Sequence, residues 1–390
     1  MAEQLLQKYF PAFSTREAEL RAYGELLRGI RERMIPVVTL TRERDAPSFQ
    51  ESLSSILTAA QGNPLIVDFD PVPRPLKTDA EIRADRAQAA AKRKLEGKKP
   101  FVPSEKQLAH WQGIRDTTIG FNRNLEALKD PARGYQNWRR LGSSASNLIP
   151  VIQTEDLSAV VAQVQELLNA GRTMAFRLRL KQPGALVPFL TAAQAFNLAG
   201  KAIVILDAGH IRGAVAGAHR VMGDALQDLR NRLPEPMFRG LLKVCMAGSF
   251  PNVLADLWSP LEIQERDLFD LVVADGWDVR YGDHSSVQPR TPQGGANGWL
   301  PHVEVVHPRR WHFHRSDKKN TDKQGFIDAA VALVGDPAAW AGRSTSWGTD
   351  MVERASRGIL NDGGTLKLTT PGPWVGVRVS QHLTQQALHP

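Results

Sequence analysis

The chain of 390 residues has a single cysteine, Cys245. One thiol excludes a disulfide framework and a cysteine-rich zinc site within one chain, and it fits a reducing compartment. No apolar run approaches the roughly 20 residues that a membrane-crossing helix needs. The opening MAEQLLQKYFPAF has no basic n-region, extended apolar core or small-residue cleavage site. No secretion signal is therefore expected, and the cytoplasm is the expected location. No GxGxxG follows an apolar run, and no GxSxG elbow or recognised DNA- or RNA-binding motif occurs. Internal repeats and long low-complexity runs are absent too.

What is present is globular composition, 42% hydrophobic and 23% charged, with a net charge of +8. The excess charge is concentrated. Residues 77–140 hold fifteen Lys or Arg against eight Asp or Glu, which suggests a patch facing an anionic partner. The remainder is close to neutral, unlike a protein coated for nucleic acid.

Short β-branched runs recur along the chain and predict eight strands: MIPVVTL (34–40), PLIVDFD (64–70), NLIPVIQ (147–153), TMAFRLRL (173–180), KAIVILDA (201–208), LLKVCMAG (241–248), LFDLVVAD (268–275) and, at least in part, HVEVVHPRRWHFHR (302–315). Between most of them lie stretches with apolar residues at spacings of three and four, such as DLSAVVAQVQELLNAG, the helical period. Strands alternating with helices imply parallel pairing through right-handed crossovers. The expectation is an α/β protein with a (β/α)8, TIM-barrel-like fold. An open doubly wound sheet is the alternative, lowered by the missing glycine fingerprint.

Two parts exceed a minimal barrel. Residues 71–146 form an insertion after the second predicted strand. It opens with Pro71-Val72-Pro73-Arg74-Pro75 and continues as DAEIRADRAQAAAKRKLEGKK and SEKQLAHWQGIRDTTIGFNRNLEALKD, the second N-capped at Ser104. This is the basic segment, expected to project as a helical hairpin. After residue 340, Trp340, Trp347 and Trp374 stud a Gly-rich region. The expected division is a barrel of 1–70 and 147–335, a basic helical insertion of 71–146, and a C-terminal extension of 336–390 packed on the barrel.

Barrel active sites lie at the C-terminal ends of the strands, and several of these ends are charged. Alternation puts Ile66, Asp68 and Asp70 on one face of their strand, and Arg177 and Arg179 on one face of theirs. Asp207 ends the fifth predicted strand, and His312 and His314 share a face near the eighth. Facing the mouth, the arginines suit a phosphate or carboxylate, because each guanidinium donates two hydrogen bonds at once. An Asp beside a His suits acid–base work or part of a metal site. The simpler reading is mutual neutralisation of Asp and Arg in a polar lumen with no ligand.

Weaker candidates flank these. Ser249, in Gly248-Ser249-Phe250-Pro251, lines the mouth or begins a turn, and a nucleophilic role is disfavoured without an elbow or base. Asp207 and His210 alone do not make a metal-ligand set. Trp311-His312-Phe313-His314-Arg315 reads first as packing and second as a stacking platform. The basic insertion, with Trp111, Tyr135 and Trp138 among its charges, is a solvated helix surface or a contact for nucleic acid or an acidic partner.

In VRYGDHSS (279–286), Gly282 is expected to bend the chain and turn Tyr281 and Asp283 toward the mouth. Neighbours in one loop do not make a catalytic triad. Tyr281-Gly282-Asp283 followed by Pro289, together with Ser249-Phe250-Pro251, also carries a family likeness. So do Pro11, Glu19 and Arg21-Ala22-Tyr23 ahead of Met34-Ile35-Pro36-Val37-Val38, and Ser346-Trp347-Gly348-Thr349-Asp350 followed by Trp374 and His382. In this order the elements resemble the Beta protein family of bacteriophages, satellites and bacterial mobile elements. The resemblance implies a setting of host killing or defence against infection, and it implies no reaction and no catalytic residues.

The leading expectation is a phage- or mobile-element-associated protein acting in anti-phage defence or toxin control. It would recognise an anionic ligand or a partner protein through Asp68, Arg177, Arg179, Asp207, Tyr281, Asp283 and His314, with no cofactor and no membrane. The competing reading is a phosphodiester- or phosphate-handling hydrolase, with Asp283 or His314 as acid or base and a divalent ion on Asp68 and Asp207. A third is a scaffold binding through the basic insertion.

Overall fold

Buried apolar runs with alternating side chains form the centre of the protein, seen in a computed structural model. It describes residues 8–41, 48–73, 76, 78–97, 99, 103–251, 254, 256–287, 300–317 and 323–389. Arg74, Pro75, Lys77, Lys98 and Pro289, named or quoted above, lie outside the described residues.

The strands in chain order are β1 (Phe10–Ser14), β2 (Val37–Leu40), β3 (Leu65–Phe69), β4 (Leu148–Pro150), β5 (Met174–Arg179), β6 (Ala202–His210), β7 (Leu242–Gly248), β8 (Trp258–Glu262), β9 (Arg280–Asp283), β10 (His302–Val306) and β11 (Arg310–Arg315). Eight of them make a parallel sheet in the order β4-β3-β2-β1-β9-β7-β6-β5. The sheet is nearly closed. A parallel bridge between Val151 and Ala175 links its two end strands, and the Ile152 amide donates to the Ala175 carbonyl at 2.8 Å. Helices follow most strands, as the alternating pattern requires.

Period-two alternation sends one residue set inward. Phe10, Ala12, Val37, Ile66, Val151, Ala175, Ile203, Ile205, Val244 and Met246 fill the lumen as one apolar cluster. The outward set, including Phe176, Val204 and Leu206 on one side and Val38 and Val67 on the other, packs beneath the helices. Burial on both faces explains the near-continuous apolar runs of these strands.

The strand assignments differ from expectation in three places. β1 was not expected; it is fully buried and pairs with both β2 and β9. LFDLVVAD is not a strand but most of the helix Gln264–Ala274. That helix buries Leu268 and Val272, four apart, leaves Leu271 and Val273 exposed, and is followed by Gly276 at φ 85°. The strand that occupies the expected seventh place is β9, the RYGD of VRYGDHSS. HVEVVHPRRWHFHR folds as the β10–β11 hairpin, and β11 pairs with β8 in a separate antiparallel sheet of three strands.

The basic segment therefore follows the third strand. Helices Asp79–Leu95 and Glu105–Lys129 each begin with a capping box, Thr78 with Glu81 and Ser104 with Gln107. Arg115 pairs with Asp79 at 2.6 Å and the Arg86 guanidinium lies 5.4 Å from the Trp111 ring centre. Contacts running in opposite senses along the two helices make them antiparallel. The first helix buries no residue, whereas the second buries Phe121, Leu125 and Leu128 against the barrel's helices. At the far end of the chain, helix Pro371–Leu388 is buried along nearly its whole length from Trp374 to Ala387.

Candidate functional site

Above the apolar lumen, the inward positions turn polar. Two residues beyond Ala12, Val37, Ile66, Val151, Ala175 and Ile205 stand Ser14, Thr39, Asp68, Gln153, Arg177 and Asp207. Each has the inward parity of its strand, at the strand's C-terminal end. Arg177 Nε donates to Asp207 Oδ2 at 2.9 Å and Nη2 lies 2.8 Å from the same oxygen, an ion pair with both side chains nearly buried. Asp68 accepts from the Phe69 amide at 2.8 Å and from Gln153 Nε2 at 3.2 Å. Burial works against the Arg177 charge, but Asp207 first and Asp68 second outweigh it and raise its pKa. Of the two carboxylates expected to hold a divalent ion, Asp207 is thus committed to the Arg177 guanidinium and Asp68 to the Phe69 amide and Gln153.

Asp207 also accepts from His284 Nε2 at 3.0 Å and from the Gly209 amide at 2.8 Å. Burial alone would raise its pKa, but His284 and then Arg177 hold it far below the usual carboxylate range. His284 reaches this place by parity. Gly282 faces the lumen, where a Cβ would meet Phe10 O at 2.9 Å and Val244 Cγ1 at 2.9 Å. Two residues on, His284 faces inward as well, against Gly248.

Over this layer opens a cavity of about 410 Å³, lined among others by Arg16, Asp70, Arg177, Arg179, Lys181, Asp207 and His284. Arg16 is tied to Glu19 at 3.4 Å, and Lys181 Nζ donates to the His210 carbonyl at 2.6 Å. Arg179 forms no ion pair with any described residue and its side chain is exposed on the cavity wall. The cavity therefore offers one uncommitted guanidinium beside a buried Arg–Asp–His chain.

Of the expected site residues, Arg177, Arg179 and Asp207 line this cavity, and Asp68, outside the lining, acts on Arg177 through its charge alone. Tyr281 and Asp283 do not turn toward the mouth. They have the outward parity of β9, opposite to Gly282, and pack beneath helix Pro371–Leu388. Asp283 accepts from Tyr9 Oη (2.6 Å), Tyr281 Oη (2.9 Å), His382 Nε2 (2.8 Å) and the Ser285 amide (2.7 Å). His314 lies in the separate sheet, its ring stacked on Trp258 and its Nε2 3.5 Å from Asp336. Read as a loop, VRYGDHSS gives no reason to single out His284; as strand β9, its two-residue offset from Gly282 is the signal that finds it. Ser249 bonds Glu265 instead of lining the mouth.

A protein-family profile described as Beta protein matches residues 9–388. The chain belongs to the Beta protein family. Protein beta of Enterobacteria phage P4 is 25% identical over 388 residues, covering 97% of this chain and 92% of the relative. No solved structure matches it. The short elements that carry the family resemblance have work in the fold. Ser249, Tyr281, Asp283 and His382 meet in one buried region. Ser346 and Thr349 form a capping box, and Trp374 Nε1 donates to the Leu368 carbonyl at 3.0 Å.

Proposed function

We propose that this Beta-family chain is a phage- or mobile-element-associated protein acting in anti-phage defence or toxin control. On this reading it recognises an anionic ligand, or an anionic group of a partner protein, at the mouth of a (β/α)8 barrel. The observation that carries the proposal is Arg179 standing without an ion pair among the described residues on the wall of the 410 Å³ cavity, beside Arg177 and Lys181. Asp207 holds Arg177 in a fixed orientation, so the site is ordered before a ligand arrives. Membership in a family with a phage P4 relative supports the biological setting. The division into barrel, basic helical insertion and C-terminal extension, and a cytoplasmic location, belong to the same proposal. Among the described residues no helix is long and apolar enough to cross a membrane.

A second reading is favoured by the His284–Asp207 hydrogen bond within the cavity. A carboxylate that orients an imidazole next to an anion site suits acid–base hydrolysis of a phosphate ester. The acid or base would then be His284 in place of Asp283 or His314.

Binding of inorganic phosphate, pyrophosphate and nucleoside monophosphates, measured by calorimetry and thermal shift, tests both readings. Arg179→Ala should weaken binding at least tenfold while leaving the fold intact. Turnover of a chromogenic phosphodiester that vanishes in His284→Gln would favour the hydrolase. No binding of any of these anions to the wild-type chain would sink the anion-site proposal.

A further inference from the structure

The basic helical hairpin carries more apolar surface than its two helices cover. Helix Asp79–Leu95 buries no residue, and helix Glu105–Lys129 buries none before Thr118. Long side chains bridge the two: Arg115 reaches Asp79, and Arg86 lies over Trp111. Between the helices runs an open groove of about 790 Å³, lined by Leu76, Ile82, Leu108, Trp111 and Ile114 among others. Leu108 remains 42%, Trp111 38% and Ile114 43% exposed. Large apolar side chains three apart lie on successive turns of one helix face, and such a stripe left open to solvent marks a contact surface.

The charge of the groove is cationic. Among the described residues Arg83, Arg86 and Arg115 line it against a single carboxylate, Asp79. Arg115 is spent on Asp79, whereas Arg83 forms no ion pair with any described residue and Arg86 rests on the Trp111 ring. Helix Asp79–Leu95 as a whole holds five Lys or Arg against three Asp or Glu. A second copy of the chain would set this excess against itself. A nucleic acid would lay phosphates against an aliphatic floor of Leu76, Ile82, Leu108 and Ile114, beside one aromatic ring that Arg86 already covers. An acidic, amphipathic protein segment matches both the floor and the rim. From Leu108 to Thr118 the groove runs about 15 Å along the helix axis, at 1.5 Å per residue. That length accepts two to three turns of a third helix.

We propose that this groove docks an amphipathic helix of a partner protein, with apolar residues at i, i+3 or i+4 and i+7 and with Asp or Glu on its flanks. The apolar stripe seats on Leu108, Trp111 and Ile114, and the acidic flanks meet Arg83 and Arg86. Docking gives helix Asp79–Leu95 the packed face that it lacks in the free chain. The groove and the mouth cavity have no described lining residue in common, so either site can fail without the other.

The test is a peptide selection on the full chain. A display library of helix-forming peptides, about 18 residues long and drawn from Leu, Ala, Glu, Lys and Gln at every position, is panned against it. The sequences retained should carry Leu at i, i+3 or i+4 and i+7 with Glu beside the stripe. By fluorescence anisotropy, a synthetic copy of one should bind at least tenfold more tightly than a scrambled peptide of the same composition. Leu108→Asp, and separately Arg83→Glu with Arg86→Glu, should each weaken binding at least tenfold at an unchanged melting temperature. If Leu108→Asp lowers that temperature, Leu108→Gln takes its place. Enrichment no greater than on the Leu108→Asp chain, retained sequences rich in Lys, or equal binding of the scrambled peptide would each overturn the docking site. A single-stranded oligonucleotide bound more tightly than the peptide, and lost in the double arginine variant, would make the groove a nucleic-acid surface instead. A wild-type dimer that Leu108→Asp dissolves would assign it to a second copy, and that too refutes the acidic helix.

Discussion

Arg177 and Arg179 are two residues apart on one strand, yet the fold gives them different work. Arg177 is nearly buried and paired with Asp207; Arg179 is exposed and forms no ion pair among the described residues. Arg177→Ala leaves a buried carboxylate with half of its compensation and should cost about 3–5 kcal/mol in urea unfolding. Arg179→Ala should stay within about 0.5 kcal/mol of wild type. Equal costs for the two would show that the Asp207 pair is not a buried one. Glu304 provides a pH test at the same scale. Burial alone would raise its pKa, but Arg378 at 2.9 Å and then His302 at 3.2 Å bring it down to about 2 from the ordinary 4.5. A depressed value contributes stability that is complete above the ordinary pKa and is lost as pH falls toward 2. That contribution is roughly 3 kcal/mol at neutral pH. The stability gap between wild type and Glu304→Gln should therefore narrow as pH drops from 5 to 2. A gap constant across that window would mean the ion pair contributes nothing.

At the scale of elements, the buried strands were legible because they are apolar on both faces, and the charged ends of PLIVDFD and MAFRLRL marked the mouth. β1 escaped because Pro11 has no amide to donate, a feature that argues against a central strand. LFDLVVAD misled because an apolar run of eight fits a buried strand and a helix alike; the Leu268–Val272 spacing and the acidic first turn decide for helix. Once that segment is a helix, β9 becomes the strand, and its parity sends His284 inward and Asp283 outward. No sequence pattern announced that His382, 99 residues further on, would meet Asp283. Close packing of helices was equally hidden. Gly348 opens helix Trp347–Ser356 so near helix Pro371–Leu388 that a Cβ would lie 2.2 Å from the Val377 carbonyl oxygen. Backbone cannot yield as a flexible side chain does. Gly348→Ala should lower stability by about 1–3 kcal/mol, read as a reduced chemical midpoint. An unchanged midpoint would show that the helices separate freely.

For the whole molecule, the last helix ties together parts that are distant in sequence. His382 bonds Asp283 at the end of β9, and Arg378 pairs with Glu304 of β10. Arg266 reaches Gln386 at 2.6 Å from helix Gln264–Ala274, and Gly376 lies where a Cβ would be 2.8 Å from the Ala18 carbonyl oxygen. Val379, Leu383 and Ala387 belong to the same apolar cluster as Tyr9, Tyr23 and Val38. Removing residues 371–390 would expose that cluster and leave Asp283, Glu304 and Arg266 without these partners, with each fully buried apolar side chain alone worth about 1.5–3 kcal/mol. Such a sum is comparable with the roughly 5–15 kcal/mol by which a domain is stable. The truncated chain should bind a hydrophobic dye and melt without a cooperative transition. The basic hairpin predicts the opposite. Helix Asp79–Leu95 buries nothing, so brief trypsin treatment should cut first around Lys92, Arg93 and Lys94 and leave the rest melting at its original temperature. A nicked chain that loses its transition, or a truncated one that keeps it, would reverse the ranking of the two segments.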